Sequence, residues 1–319
     1  MIYKHTDDID VSITTYRREE ADDAMLRAAN LTIRSLESNG SLDDNFRALS
    51  VDMVKVFLST HRSICLLLAR EDDDPYLGAD DALSLAREQV EKVFAVALLS
   101  EDQTRWARVY LEDSWRRTFE RYLLEKAERQ NLPRFQGFFP QAYYRVERVR
   151  QRLGIGDSVR DAVEYRFFNP KDPPGGPPKN VAGVKLPKRF PTPNGVLKEI
   201  SGPNKDHLQR WYSEYRFFCD FTHCGMGKLE LTHLFDRSTR FSTADKEDFY
   251  DKEAQNAAAV SYVAVASACT ELTGVLGLAD VERVMRIVEF WDFLRPRVLL
   301  AKAMWDLRAW HLLPPTLTP

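Results

Sequence analysis

The sequence predicts an all-α protein, a multi-helix bundle interrupted by one long, basic, proline-rich insertion. Three observations predict it. Apolar side chains recur at three- and four-residue steps through most of the 319 residues, as helix faces buried in a core require. Only 14 residues are glycine, too few for the many tight turns of a β-rich chain. One stretch, residues 169–204, holds nine prolines and no helical period, so it stands apart from everything around it.

Taken in order, a polar lead gives way to a charged helix over 16–38, stopped by Asn39-Gly40. A second helix, about 43–70, carries the stripe Leu49, Met53, Val56, Phe57, Thr60, Ile64 and Leu67, and ends at an acidic run before Pro75. A third spans about 77–100 and a fourth, rich in arginine, about 102–131, closing at Asn131-Leu132-Pro133. A fifth, about 137–153, ends at Gly154. Beyond the proline-rich stretch, 206–224 is helical and 226–242 irregular, with a short strand expected at Lys228–Thr232. Residues 244–276 are apolar almost all round and rich in small side chains, which places that helix at the centre of a bundle. A last helix, 280–311, is expected to kink at Pro296. Residues 1–154 thus supply the N-terminal helices of the bundle, 155–204 a Pro/Gly-rich basic insertion or crossover, and 205–319 the C-terminal helices that complete it.

Hydrophobic and charged contents of 44% and 29% are those of a globular protein with a full core. No run of about 18 apolar residues is present and the N-terminal residues lack the apolar core of a secretory signal. The cysteines, Cys65, Cys219, Cys224 and Cys269, are scattered and read as reduced thiols, so a cytoplasmic protein without membrane association is expected. The net charge of −3 conceals a strong segregation. Residues 1–103 carry a net −10, residues 104–205 a net +10, and the remainder −3. Arginine outnumbers lysine 31 to 14, and its planar fork suits phosphate. Arg105, Arg108, Arg116, Arg117, Arg121, Arg145, Arg148 and Arg152 form a candidate nucleic-acid footprint, with Phe138, Tyr143 and Tyr144 near enough to stack bases. A solvated charged face, or packing between acidic and basic segments, explains the same residues without any ligand.

Reactive side chains and helical period coincide in one segment, KDHLQRWYSEYRFFCDFTHCGM, residues 205–226. Arg216 and His223 lie seven residues apart, on one side of the helix and about 10 Å apart along its axis. A guanidinium that stays charged and an imidazole that titrates near neutrality suit the handling of a phosphodiester. Arg216 paired with Asp220 at i,i+4, beside an interior His223, accounts for the same residues structurally. Earlier in the chain His61, and the i,i+4 pair Arg87 and Glu91, sit beside apolar helix faces. Together with His223, Tyr215 and Cys219 they form either one polar pocket inside the bundle or separate satisfied core contacts. Cys219, His223 and Cys224 are zinc-ligand types, but Cys224 projects about 100° away from His223 on a continuing helix, so no metal site is expected. His207 and His311 have no companions at ligand spacing, and no phosphate loop, dinucleotide loop or nucleophile elbow is present.

The order His61, then LAREQVEKV with Arg87 and Glu91, then Tyr212-x-x-Tyr215-x-x-Phe218-Cys219-Asp220-Phe221-Thr222-His223 resembles an uncharacterised bacterial all-helical family. That family is similar to HEPN domains (higher eukaryote and prokaryote nucleotide-binding). The resemblance covers residues 43–125 and 205–275 and departs at Cys219, where the family shows a serine. It implies an RNA-binding HEPN-like core with metal-independent endoribonuclease activity, in a bacterial defence or toxin system. HEPN ribonucleases place four to six residues between their arginine and histidine; here Arg216 and His223 are separated by six, FFCDFT. By that resemblance His223 moves the proton, Arg216 holds the phosphate and Asp220 orients one of them, with no cofactor. It further implies a homodimer, and a partner protein from the same operon. A non-catalytic helical scaffold, whose Arg/His/Glu cluster is structural, is the alternative that stays open.

Overall fold

A computed structural model of the chain describes residues 19–69, 75–130, 140–171, 176–202, 204–222 and 243–313. Twelve helices form among these residues, and no strand. The anticipated strand at Lys228–Thr232 lies outside them. The chain forms two compact units, one made of residues 1–103 with 191–319 and the other of residues 104–190. The second unit therefore takes in the fourth and fifth expected helices together with most of the expected insertion.

The larger unit is built from α1 (Glu19–Ser38), α2 (Asp44–Leu68), α3 (Pro75–Glu101), α7 (Pro193–Glu199), α8 (Asn204–Thr222), α9 (Thr243–Leu276) and α10 (Val281–Leu294), with a short final stretch. At its centre is α9, packed on α1, α2, α3 and α10. From Ala254 to Thr273 almost every residue of α9 is buried, and seven of them are alanine, so neighbouring backbones approach closely. By length and composition Asp251–Leu276 is apolar enough to cross a bilayer, but 83% of its 18-residue apolar window is buried inside the protein, as a core helix is. Helix starts and stops follow local chemistry. The Asp43 carboxylate accepts from the Asn45 and Phe46 amides and caps α2. Asp280 accepts from the Arg283 amide at the start of α10 and also from the Ser35 hydroxyl, which ties that start to α1. Gly277, at φ +76°, closes α9 in a left-handed turn.

Two expectations are corrected here. The proline-rich stretch is not free of helix, because Pro193 occupies the first turn of α7, where its missing N–H costs nothing. The final helix is broken at Pro296 rather than kinked. It ends at Leu294, Val298 is extended, and α11 (Leu299–Met304) starts afresh. From α11 the chain runs through a π-helical turn, Trp305–Ala309, into α12 (Trp310–Leu312).

In the smaller unit α4 (Gln103–Gln130), α5 (Pro140–Arg152) and α6 (Asp157–Phe168) enclose a separate core of Trp115, Phe119, Leu123, Val146, Ile155 and Val163. Gly154 turns the chain out of α5 at φ +67°, where the Ile155 amide donates to Arg150 O and the Gly154 amide to Gln151 O. The basic end of the proline-rich stretch docks on α4. Phe190 packs edge-on against Trp106 and Tyr110, and Arg189 reaches the buried Asp113 at 3.1 Å and Glu120 at 2.5 Å.

Candidate functional site

Residues 104–190 hold 19 basic and 10 acidic side chains, a net +9, while the rest of the chain carries −12. The charge segregation seen along the sequence thus coincides with a structural unit. Within it the candidate arginines divide by environment. On α4, Arg108, Arg116 and Arg121 lie 2.8, 2.8 and 3.5 Å from Glu112, Glu120 and Glu125, and Arg117 lies 2.8 Å from Asp113. Arg116 also donates to the Pro187 carbonyl, so its donors hold the proline-rich segment in place. The Arg105 guanidinium lies 4.3 Å from the centroid of the Trp106 ring. On α5 the picture differs. Arg145, Arg148 and Arg152 are exposed, and among the described residues no carboxylate pairs with them. Tyr144 is 68% exposed and precedes Arg148 and Arg152 at i,i+4 and i,i+8, which sets an aromatic ring in line with two cations. The inner face of the same helix buries Val146 and Arg150, whose guanidinium bonds Glu147 and Asp157. Phe138 lies outside the described residues.

An opening in this unit lies between α4, α5 and α6. It encloses about 370 Å³ and is lined by Phe119, Tyr122, Leu123, Lys126, Tyr143, Arg160 and Glu164. Tyr122 stacks on Phe119 at 6.1 Å and meets Tyr143 at 5.5 Å. Burial pushes the Tyr122 phenol above its ordinary pKa, so it stays a neutral donor at physiological pH.

In the larger unit the expected polar residues fall into two clusters. His61 joins α2 to α1 and α9: its Nδ1 lies 2.8 Å from Ser261 Oγ and its Nε2 3.3 Å from Asp22 Oδ1. Tyr262 donates to the same Asp22 oxygen at 2.8 Å, and Cys65 Sγ lies 3.4 Å from Nε2. An N–H at Nε2 donating to Asp22, with Nδ1 accepting from the Ser261 hydroxyl, satisfies both ring nitrogens. The residue types are those of a hydrolase triad, but Ser261 is fully buried and His61 only 2% exposed. No substrate reaches the hydroxyl; the network fixes the register of three helices.

Arg87 lies elsewhere, between α3 and α8. Its Nη2 is 3.7 Å from Glu91, and its guanidinium lies 5.5 Å from the Tyr215 ring centroid. Burial works against the charge of Arg87, but bonds to Tyr215 and Cys219 outweigh it and raise its pKa. Burial likewise raises the Tyr215 phenol, against the pull of Arg87. Cys219 is a half-buried free thiol. Arg216 is exposed on α8. The Asp220 side chain and His223 lie outside the described residues, as does Cys224.

One constellation was not anticipated. His207, on α8, is 2% exposed and sits 3.2 Å from Glu271 on α9, itself 2% exposed. Arg308, from the π-helical turn, grips both oxygens of Glu271 at 2.8 and 2.9 Å and bonds Asn204, which in turn bonds Glu101. Burial alone would raise the Glu271 carboxyl; Arg308 and the adjacent His207 more than offset it and hold it at about 2. The His207–Glu271 contact is a close approach rather than a directed hydrogen bond, since neither ring nitrogen has an aligned partner. A cavity of about 10 Å³, lined also by Ser267, Thr270 and Trp291, adjoins them. That is room for one water molecule at most, so the cluster is a structural clamp. Its partners lie 64 and 101 positions beyond His207, which is why sequence spacing shows His207 without companions.

The chain matches no family model, no curated protein and no solved structure.

Proposed function

We propose that this protein binds single-stranded RNA on the outer face of α5. The observation that carries the reading is the row Tyr144, Arg145, Arg148 and Arg152, exposed and without carboxylate partners among the described residues, in a unit of net charge +9. Arg108, Arg116, Arg117 and Arg121 of α4 are engaged with acidic neighbours, whereas these three can spend all their donors on phosphate. A base stacked on Tyr144 adds about 1–3 kcal/mol without regard to sequence.

The test is fluorescence anisotropy of a labelled oligouridylate between 50 and 200 mM salt. Each phosphate contact to a single strand contributes about −0.7 to the slope of log K against log salt. The triple substitution Arg145→Gln, Arg148→Gln, Arg152→Gln is therefore expected to reduce the slope by about 2. Tyr144→Ala should weaken binding by about 5- to 150-fold and leave the slope alone. Salt-insensitive binding, or a triple variant indistinguishable from the parent, would leave the scaffold reading in possession.

A second reading rests on the exposure of Arg216 on α8. There the guanidinium is open to a phosphate, and with His223 as proton carrier and Asp220 orienting the pair, RNA bound by the protein would be cleaved without a metal. This HEPN-like reading carries with it the homodimer and the bacterial defence or toxin setting.

A further inference from the structure

We infer that the opening between α4, α5 and α6 is a binding site for a nucleoside monophosphate, separate from the RNA-binding face. Its volume of about 370 Å³ falls within the ~300–1,000 Å³ of small-molecule sites. The chemistry of the lining specifies the ligand in parts. Phe119 and Leu123, 2% and 0% exposed, make an apolar floor. The Tyr122 and Tyr143 rings, tilted by 47° to one another, form a wall against which one planar ring stacks. Lys126 and Arg160 bring two cations to the same opening, and Glu164 brings one acceptor for N–H or hydroxyl donors. An aromatic ring, an anion and a hydrogen-bond donor are what a nucleotide presents together. The ion pair that crosses the opening, Lys126 to Glu164 at 3.4 Å, has side chains 41% and 37% exposed. Such a pair contributes little to folding, so a ligand can open it and take both partners at small cost. Arg160 stays anchored by Asp157 and Asp161, which fixes its position before any ligand arrives.

The site meets the outer face only through Tyr144, whose ring lies edge-on to Tyr143 at 6.3 Å; the cations of the two faces are apart. Arg145, Arg148 and Arg152 are displaced from Tyr143 by about half a turn around α5, so the two sets project from opposite sides of the helix.

Isothermal titration calorimetry of the full chain with AMP, GMP and UMP, and with ribose 5-phosphate, inorganic phosphate and benzoate as controls, tests the assignment. Saturable 1:1 binding of at least one nucleotide is expected, with the three controls about ten-fold weaker or worse, since each lacks one of the parts recognised. Tyr143→Ala and Lys126→Glu should each weaken it by about ten-fold or more, whereas Tyr143→Phe, which keeps the ring, should not. The Arg145/Arg148/Arg152 triple variant should bind nucleotide as the parent does. Ribose 5-phosphate or phosphate binding as tightly as the nucleotides would reduce the site to an anion patch and overturn the inference. No saturable heat with any nucleotide, or equal binding by Tyr143→Ala and Lys126→Glu with unchanged circular dichroism, would overturn it too.

Discussion

Glu253 sits where an acid should resist ionisation, and replacing it with glutamine makes that a measurable quantity. The residue lies on α9, 3% exposed, and one of its carboxyl oxygens has no hydrogen-bond partner. Burial is the main cause that pushes its pKa from 4.5 up to about 7; Glu214, also 3% exposed and 2.9 Å from Arg210, adds to the rise, while a bond from Asn256 opposes it. The folded state therefore holds this proton more tightly than the unfolded chain does. The resulting stability is fully present below pH 4.5 and is lost as pH rises through 7. A rise of that size, at about 1.4 kcal/mol per unit, amounts to ~3 kcal/mol. Glu253→Gln keeps the shape and the amide contact but cannot ionise. The difference in stability between variant and parent should accordingly grow in the variant's favour by ~3 kcal/mol between pH 5 and pH 8. For a unit of this size that is about 6–12 °C in melting temperature, read by scanning calorimetry at both pH values. Parallel pH dependences for the two proteins would refute the reasoning, and so would a variant that loses ground as pH rises.

Two further outcomes concern the sites already described. Arg308→Met strands the Glu271 carboxylate in the core, and a loss of ~3–5 kcal/mol is expected at pH 7, much of it restored when Glu271→Gln is added; calorimetry of the single and double variants reads this. In the parent, stability drawn from Glu271 is present above pH 4.5 and lost as pH falls through about 2. If the protein cleaves RNA, Arg216→Ala and His223→Ala should each reduce the single-turnover rate by about 100-fold or more in a metal-free buffer. Because Arg216 is exposed, its substitution should leave the melting temperature within about 1 °C; a large drop would make it a structural residue instead.

Most of the fold was legible because helices announce themselves locally. The stops at Asn39-Gly40 and Gly154 and the small-residue run of α9 all lie within a few residues of the ends and faces they control. The features that escaped were either short or distant. α7 is only seven residues long and lies in a proline-rich stretch, although Pro193 at its start was a readable signal. α6 was hidden by the glycines before it, though Val159, Ala162, Val163 and Phe167 keep helical spacing. The break at Pro296 was mistaken for a kink because the apolar pattern continues on both sides of it. For the polar residues the limit is different. Types and spacings marked His61 and Arg87 as noteworthy and grouped Tyr215 and Cys219 with them, but Asp22 and Ser261, which hold His61, come from other helices. Burial then decides what such groups can do: Ser261 and His61 are sealed from any substrate, and no local pattern encodes that.

The widened helical turn at Trp305–Ala309 accommodates one residue more than a regular repeat. Deleting a single residue in that turn would close it to a regular repeat, and because the wide turn absorbs the extra residue, the side chains beyond would turn by some tens of degrees rather than the ~100° of a deletion within a regular helix. Even that turn would loosen the grip of Arg308 on both oxygens of Glu271, and the gain in regularity would be offset by a buried acid left with only His207 beside it. The irregular turn is thus a spacer whose length is set by a carboxylate on another helix, and a change in chain length there should be tolerated less well than most changes of residue.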